Sequence, residues 1–500
     1  MASVTLDFRA DYSSLYIGGV FTQPRGGTED TISPITGGVI GSAPVGGIED
    51  AQAALTAAHD AFECGAWANE DRHIRSARMQ RLLDMIHARK EEIVHLMMLE
   101  MGYTRMECEG LMGLAADQLA NAVTFSARDP VTTLPVISTP WYDGTIKLGG
   151  GVIARDPMGV VVAITPYNAG FLLGLLKAST ALAAGNSVVL KPAPITPLQT
   201  LLLTDMIAEL DLPPGTFNMV TGGGDVGATL CSDPRVAMIS FTGSDKVGSQ
   251  IMVQAAPNIT KCHLELGGKS ALVIRHDADL QRAIPSVLFS NFAQAGQGCA
   301  CTTRILVDNR IRADLVAALK QAMAHWKVGD PFAEGISMGP LIREAARERA
   351  EGFVARAVEE GAALVYGGKR IEGLSGGLEN GFFFEPTIFD NVANDSYLGQ
   401  NEVFGPVMSI IGFDSDDEAV RLANSSDYGL GGGIVSQDAG KAMEMALKIR
   451  TGMIMMNGGS GRLHPDTPFG GYKRSGLGRE WGEEGYFEYT QTKSITFPVG

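Results

Sequence analysis

From Met158 onward the chain alternates two apolar patterns. The runs "MGVVVAI", "SVVLK", "GTFNMV", "VAMISF" and "CHLEL" are short, nearly continuously apolar, and start roughly 20 to 30 residues apart. Segments of helical periodicity separate them, at 172–184, 198–210, 225–231 and 246–256. Strands with no polar face, alternating with helices, predict a parallel sheet covered on both sides. Ligands of such sheets sit beyond the carboxyl ends of the strands. After Gly267 a second α/β unit is predicted to about Phe469, with a helix in "RADLVAALKQAMAHW" and strands in "GPVMSIIGF" and "GGGIV".

Upstream, 48–101 reads as helix. "RMQRLLDMIHARKEEIVHLMMLEMG" sets Leu82, Ile86, Ile93 and Met97 near one face and ends on Gly102, a common helix stop. Residues 127–149 are rich in Pro, Thr and Val and predict extended segments or a hairpin outside the main core. The tail "GYFEYTQTKSITFPVG" alternates and is β-prone, and a strand of that kind pairs with its own domain or with another subunit.

Composition narrows the function classes. The 500 residues are 45% hydrophobic, enough for a large core in more than one domain. The net charge of −16, with no basic cluster, argues against nucleic acid and anionic membranes as partners. No apolar run approaches the ~20 residues of a membrane span. The opening "MASVTLDFRADYSS" lacks the pattern of a secretory signal. The six cysteines are sparse and irregularly spaced, so no disulfide framework is expected and a cytoplasmic location is.

Four stretches could carry chemistry. Gly222, Gly224 and Gly227 have dinucleotide-fingerprint spacing after a strand, although a simple turn explains them equally well. "FTGSDKVG" also leaves a strand and opens a helix, whose N-terminus favours phosphate. Lys191 ends its strand at the carboxyl edge, where it reaches either a ribose or phosphate, or solvent. Glu265 in "HLELGGK" is either an outward-facing strand residue or a carboxylate whose burial suits a general base. In "FAQAGQGCACTTR", Cys299 and Cys301 lack nearby partners for a metal site, the nearest histidines being His276 and His325, so no metal is expected. A bridge between them would be strained. A buried apolar thiol and a nucleophile remain as readings.

Taken together, these motifs resemble those of the NAD(P)-dependent aldehyde dehydrogenase superfamily. "ELGGKS" is similar to that family's glutamate signature and "FAQAGQGCACTTR" to its cysteine signature. "TPYNAGF", "KPAPITP", "FTGSDKVG", "NEVFGPV" and "PFGGYKRSGLGRE" resemble further blocks, in family order from about Pro157 to the C-terminus. The resemblance implies a Rossmann-like parallel-sheet cofactor domain (1–126 and 151–262), a second α/β catalytic domain (263–470), and a small β oligomerisation extension (127–150 and 483–500).

It further implies Cys299 as nucleophile, Glu265 as general base and Asn168 as oxyanion donor. NAD or NADP would lie against Ile164, Thr165, Pro166, Tyr167, Lys191, Ala193, Gly224, Gly227, Phe241, Thr242, Gly243, Ser244, Val247, Leu266, Gly267, Glu402 and Phe404. Ala169, Leu172, Leu176, Gly298, Arg462 and Phe469 would line the substrate pocket. A carboxylate at Glu265 implies hydrolytic release of the acid, since relatives that pass the acyl group to coenzyme A lack it.

Two departures from the family bear on specificity. Pro194 stands where NAD-preferring members carry Glu, so strict NAD selectivity is not expected. Leu176 can neither pair a carboxylate nor stack on a quaternary ammonium. An apolar aldehyde, aliphatic or aromatic, is therefore expected as the small-molecule partner. A semialdehyde with a polar tail read by Arg462 is the alternative, and a non-enzymatic binding protein a remote third reading. A homodimer or homotetramer is expected.

Overall fold

The computed structural model describes residues 9–459 and 463–499. An eight-stranded sheet runs in the order Val20–Thr22, Leu15–Ile17, Phe217–Met219, Ser187–Lys191, Val160–Ile164, Val236–Thr242, Lys261–Glu265 and Gly476–Leu477. The five strands predicted from the apolar runs form its parallel centre. The two outer pairings at one edge and the single one at the other are antiparallel.

The runs are continuously apolar because both faces are covered. Val160 and Val162 pack with Ala51, Leu55, Val226 and Ile251 from helices on one face. Val161 and Ala163 pack on the other with Phe171, Leu175 and Leu202. Of the five parallel strands the chain places Val160–Ile164 first, builds outward on one side to 217–219, then crosses to 236–242 on the other. That crossing makes a switch point, and crevices for ligands open there at the carboxyl edge.

The predicted helical stretch 48–101 is three helices, Ile48–Cys64, Arg72–Ala88 and Lys90–Met101. Left-handed Gly65 and the Asp71 cap interrupt it once, and Arg89 interrupts it again. Gly102 ends the last with φ +72°, a conformation glycine adopts without Cβ strain.

A seven-stranded sheet forms the second α/β unit, in the order Ala363–Tyr366, Thr387–Asp390, Val407–Phe413, Arg304–Asp308, Ala271–Ile274, Gly432–Val435 and Met455–Met456. All neighbours are parallel except the first pair. The boundary expected at 262/263 falls inside strand Lys261–Glu265, which pairs with 236–242 along its full length. The chain leaves the first sheet only after Glu265, because Glu265 still has a parallel partner in Thr242.

Strands Val131–Pro140, Ile146–Pro157 and Thr490–Pro498 form a separate antiparallel sheet with 146–157 in the middle. Strand 131–140 is exposed at every residue. Among the described residues no helix is long and apolar enough to cross a membrane.

Candidate active site

The site is built where the two large sheets meet. Residues 293–303 connect helix Leu280–Phe292 to strand Arg304–Asp308 and carry both cysteines. Gln294, Ala295 and Gly296 hold left-handed backbone with φ of 57°, 53° and 71°. A Cβ at Gly296 would stand 2.3 Å from the carbonyl oxygen of Gly405, so only glycine fits that approach.

Three contacts pin this strained segment. The Glu107 carboxylate accepts from the Gln294 N–H at 2.6 Å. The Gln297 side chain accepts from the Ile342 N–H at 3.0 Å. The Asn168 side-chain amide donates to the Gln297 carbonyl at 2.8 Å. Asn168 thus ties the approach to helix Gly170–Ala183 to the backbone two residues before Cys299.

Cys299 is half-buried and unbridged, as are its neighbour Cys301 and the other cysteines in being free. Burial pushes the Cys299 thiol well up, reinforced by the carboxylates of Glu402 and Glu265. Cys301 rises to about 12, chiefly through burial. Both are neutral thiols at rest.

Glu265 is 2% exposed. Neither of its oxygens has a hydrogen-bond partner. Burial raises its pKa well above the carboxylate range, Glu480 raises it further, and Lys177 and Arg479 oppose the rise. Of its two readings, the outward-facing one does not hold. Lys177 and Glu480 form a fully buried ion pair close by, and Lys177 also donates to Ser240 Oγ at 3.0 Å.

The apolar surroundings of Cys299 are Leu176, Leu430, Phe469 and Trp481, with Leu173, Met453 and Leu463 against them. Phe469 and Trp481 are stacked with ring centroids 4.7 Å apart. The Phe469 and Glu480 backbones exchange hydrogen bonds at 2.7 Å in both directions, which fixes the stack. Gly298 sits beside the Cys301 sulfur.

Ala169 and Leu172, expected in the pocket, are instead buried in the core beneath the first sheet. Helix Gly170–Ala183 is buried on nearly all sides, so its periodicity does not tell the pocket face from the core face, and Leu173 takes the place assigned to Leu172. Arg462 lies outside the described residues. His464, two residues on, is exposed. The helix Arg105–Ser126 anchors the adjoining loop, Gln118 and Asn121 both donating to the Pro465 carbonyl.

The residues expected at the cofactor line the carboxyl edge of the parallel sheet. Ile164 and Thr165 end the central strand and lead into Pro166 and Tyr167. Lys191 ends the next strand and leads into Ala193, while Gly224 and Gly227 belong to helix Gly224–Ser232. Lys191 is buried rather than solvated, and its aliphatic stem passes the Gly227 Cα. Phe241, Thr242 and Gly243 end strand Val236–Thr242, and Ser244 caps helix Asp245–Ala255 by accepting from the Val247 N–H. Leu266 packs on Gly248, and the Glu402 carboxylate approaches Gly267 and accepts from the Gly268 N–H at 2.8 Å. Phe404 meets Tyr167 edge-on at 5.8 Å.

The aldehyde dehydrogenase family model matches residues 21–495 of this chain. A protein of Staphylococcus aureus named putative aldehyde dehydrogenase is 37% identical over 494 residues, covering 97% of this chain and 98% of that one. A crystal structure of betaine aldehyde dehydrogenase from Staphylococcus aureus in complex with NAD+ is 36% identical. It superposes with a TM-score of 0.91 over 97% of this chain and 94% of its own. A double mutant of that protein, also with NAD+, gives 0.93 over 98% and 97%.

The chain belongs to the aldehyde dehydrogenase family. It is an NAD- or NADP-dependent oxidoreductase acting on an aldehyde. The carboxyl edge fits such a dinucleotide. Thr165 and Thr242 present buried hydroxyls with no partner. Burial lowers Lys191 to about 8, with Asp225 opposing. The Lys191 ammonium has only a 3.5 Å contact with the Pro192 carbonyl, which leaves it for a ribose hydroxyl or phosphate. The dehydrogenase has no group of three or more potential metal ligands among its described residues.

Proposed function

We propose that the enzyme oxidises an aldehyde to its acid on Cys299 and releases the acid by hydrolysis. The observation that carries this is the convergence of three groups. The Cys299 thiol, the buried Glu265 carboxylate and the Asn168 amide, tied to the Cys299 loop, meet beside one apolar pocket. Only the thiolate attacks, so the proton of the neutral thiol must leave before or during attack.

Asn168 has two N–H groups, and Gln297 engages one. The other, with the Cys299 backbone N–H, would hold the oxyanion of the tetrahedral thiohemiacetal. When bound, the oxidised nicotinamide accepts the hydride released from that carbon. Lys191, Ser244 and the start of helix Asp245–Ala255 would hold the adenosine and pyrophosphate, and Glu402 and Phe404 the nicotinamide side. The acyl group stays on Cys299 as a thioester. Glu265 then takes a proton from water, the water oxygen bonds to the acyl carbon, and the thiol leaves. The first sheet is thus the cofactor domain and the second supplies the nucleophile.

An apolar substrate body is supported by Leu173, Leu176, Leu430, Met453, Phe469 and Trp481. A second reading, a cationic head as in betaine aldehyde, is supported by the stacked Phe469–Trp481 pair, whose faces attract cations, and by the NAD+-bound relatives. Initial rates with aliphatic, aromatic and trimethylammonium aldehydes, each with NAD+ and NADP+, test both. No reduction of either cofactor with any aldehyde would defeat the proposal.

The sparse, irregularly spaced cysteines, which suit a reducing compartment, support a cytoplasmic enzyme. Exposed Val131, Leu134, Val136, Ile137 and Ile146 on the small sheet support pairing with another subunit as a dimer or tetramer. Light scattering at micromolar concentration tests it, and a mass near 52.9 kDa would contradict it.

A further inference from the structure

His263 stands two residues before Glu265 on strand Lys261–Glu265, so the two side chains leave the same face. The imidazole is fully buried, and its Nε2 lies 3.7 Å from Glu265 Oε1. Neither that nitrogen nor either Glu265 oxygen has a hydrogen-bond partner. Among the described residues no Lys or Arg side chain comes within ion-pair distance of Glu265. An unpaired buried donor facing an unpaired buried carboxylate is costly for a fold and is seldom left without a use.

Which tautomer faces Glu265 depends on the partners of the other ring nitrogen. Nδ1 lies 3.4 Å from Ser240 Oγ and 3.9 Å from Glu480 Oε1. Ser240 already accepts from the Lys177 ammonium, so its own hydrogen goes to Nδ1 or to the Tyr489 hydroxyl at 2.9 Å. With the hydroxyl hydrogen on Nδ1, the ring proton sits on Nε2 and points at Glu265.

We propose that His263 is a positioning residue for Glu265: its Nε2–H turns toward the carboxylate, holds it ready for water, and favours its ionised form. The inference rests on the reading of Glu265 as the base. The 3.7 Å separation must close to the ~3 Å of a hydrogen bond when the carboxylate ionises. Burial and Glu480 oppose ionisation of Glu265, while Lys177 and Arg479 favour it. Burial, Lys177, Lys261 and Arg479 keep His263 neutral. Glu488 is occupied by Lys261 at 2.7 Å. A neutral donor supplies a hydrogen bond to the carboxylate without a second buried cation.

The test is the pH profile of steady-state turnover, with the amplitude of the first-turnover burst recorded alongside. His263→Met and His263→Leu remove the donor and keep an apolar core; two variants guard against one failing to fold. Both should move the acid limb of kcat about one unit alkaline, a tenfold loss at pH values on that limb. KM for the aldehyde and the burst amplitude should stay unchanged. His263→Gln, which restores an N–H donor, should return the limb toward its original position. In a Glu265→Gln background His263→Met should add nothing to the loss of deacylation. An unmoved acid limb in the Met and Leu variants, or an equal shift in the Gln variant, would overturn the proposal. If Glu265→Gln by itself leaves deacylation intact, the reading of the base has failed, and that is seen without any His263 variant.

Discussion

The Asn168 amide and the Gln297 carbonyl, 129 residues apart in sequence, meet at 2.8 Å and join the two halves of the active site. Asn168 holds the Cys299 loop with one N–H, and in the proposed mechanism the other would be offered to the oxyanion.

Asn168→Ala should lower kcat by about 10² to 10³, the loss of one oxyanion donor. KM should change less. Asn168→Asp should be at least as damaging, because its carboxylate would face the Gln297 carbonyl and the oxyanion. Measuring kcat and KM for both variants checks this; an Asp variant near the original rate would remove Asn168 from the oxyanion site.

Cys299→Ala should abolish turnover, whereas Cys301→Ala should keep most of it. Both thiols are held neutral by burial, but only Cys299 packs against the Leu176–Phe469–Trp481 pocket. Steady-state rates of the two variants decide, and an inactive Cys301→Ala protein with an active Cys299→Ala protein would invert the assignment.

Much of this site was legible in the sequence because its chemistry sits in short motifs. Cys299 with Gln297, Glu265 with Leu266 and Gly267, and Lys191 at a strand end are local patterns. The strand runs were legible because both faces of the sheet are buried, which leaves no polar alternation. What local pattern does not carry is contact between distant segments. The Lys177–Glu480 ion pair spans 303 residues. Trp481 reaches the pocket only because Phe469 and Glu480 pair through their backbones. The sequence does not separate Leu172 from Leu173 as a pocket residue, because a helix buried on nearly all sides has no face that periodicity can single out.

Pro194 is exposed beside Ala193 and carries no charge, and the expected cofactor choice rests on it. NADP+ should be used measurably beside NAD+, with kcat/KM values within about two orders of magnitude. Pro194→Glu should weaken NADP+ through like-charge repulsion and raise preference for NAD+. Initial rates against both cofactors in both proteins measure it. A parent enzyme already more than about a thousandfold selective for NAD+ would mean that another residue discriminates.

Glu100 predicts a pH dependence of stability. It is fully buried, accepts from the Leu198 and Gln199 N–H groups at the start of helix Leu198–Ala208, and is raised from 4.5 to about 7, chiefly by burial. Its folded-state pKa is above the unfolded one, so its contribution is present below about 4.5 and lost as pH rises through about 7. The full swing is on the order of 3 kcal/mol. Glu100→Gln should make Tm fall less steeply between pH 5 and 8, measured by calorimetry. An unchanged slope would show that Glu100 titrates alike in both states.

The most direct test of the central claim is a single turnover of Glu265→Gln with excess aldehyde and cofactor. An amide cannot take a proton from water, whereas attack by the Cys299 thiol needs only its own ionisation. The account predicts a burst of reduced cofactor close to one per active site, followed by slow turnover. Intact-mass and peptide spectra should then show the acyl group on Cys299. Loss of the burst together with turnover, or an acyl group on another residue, would contradict it.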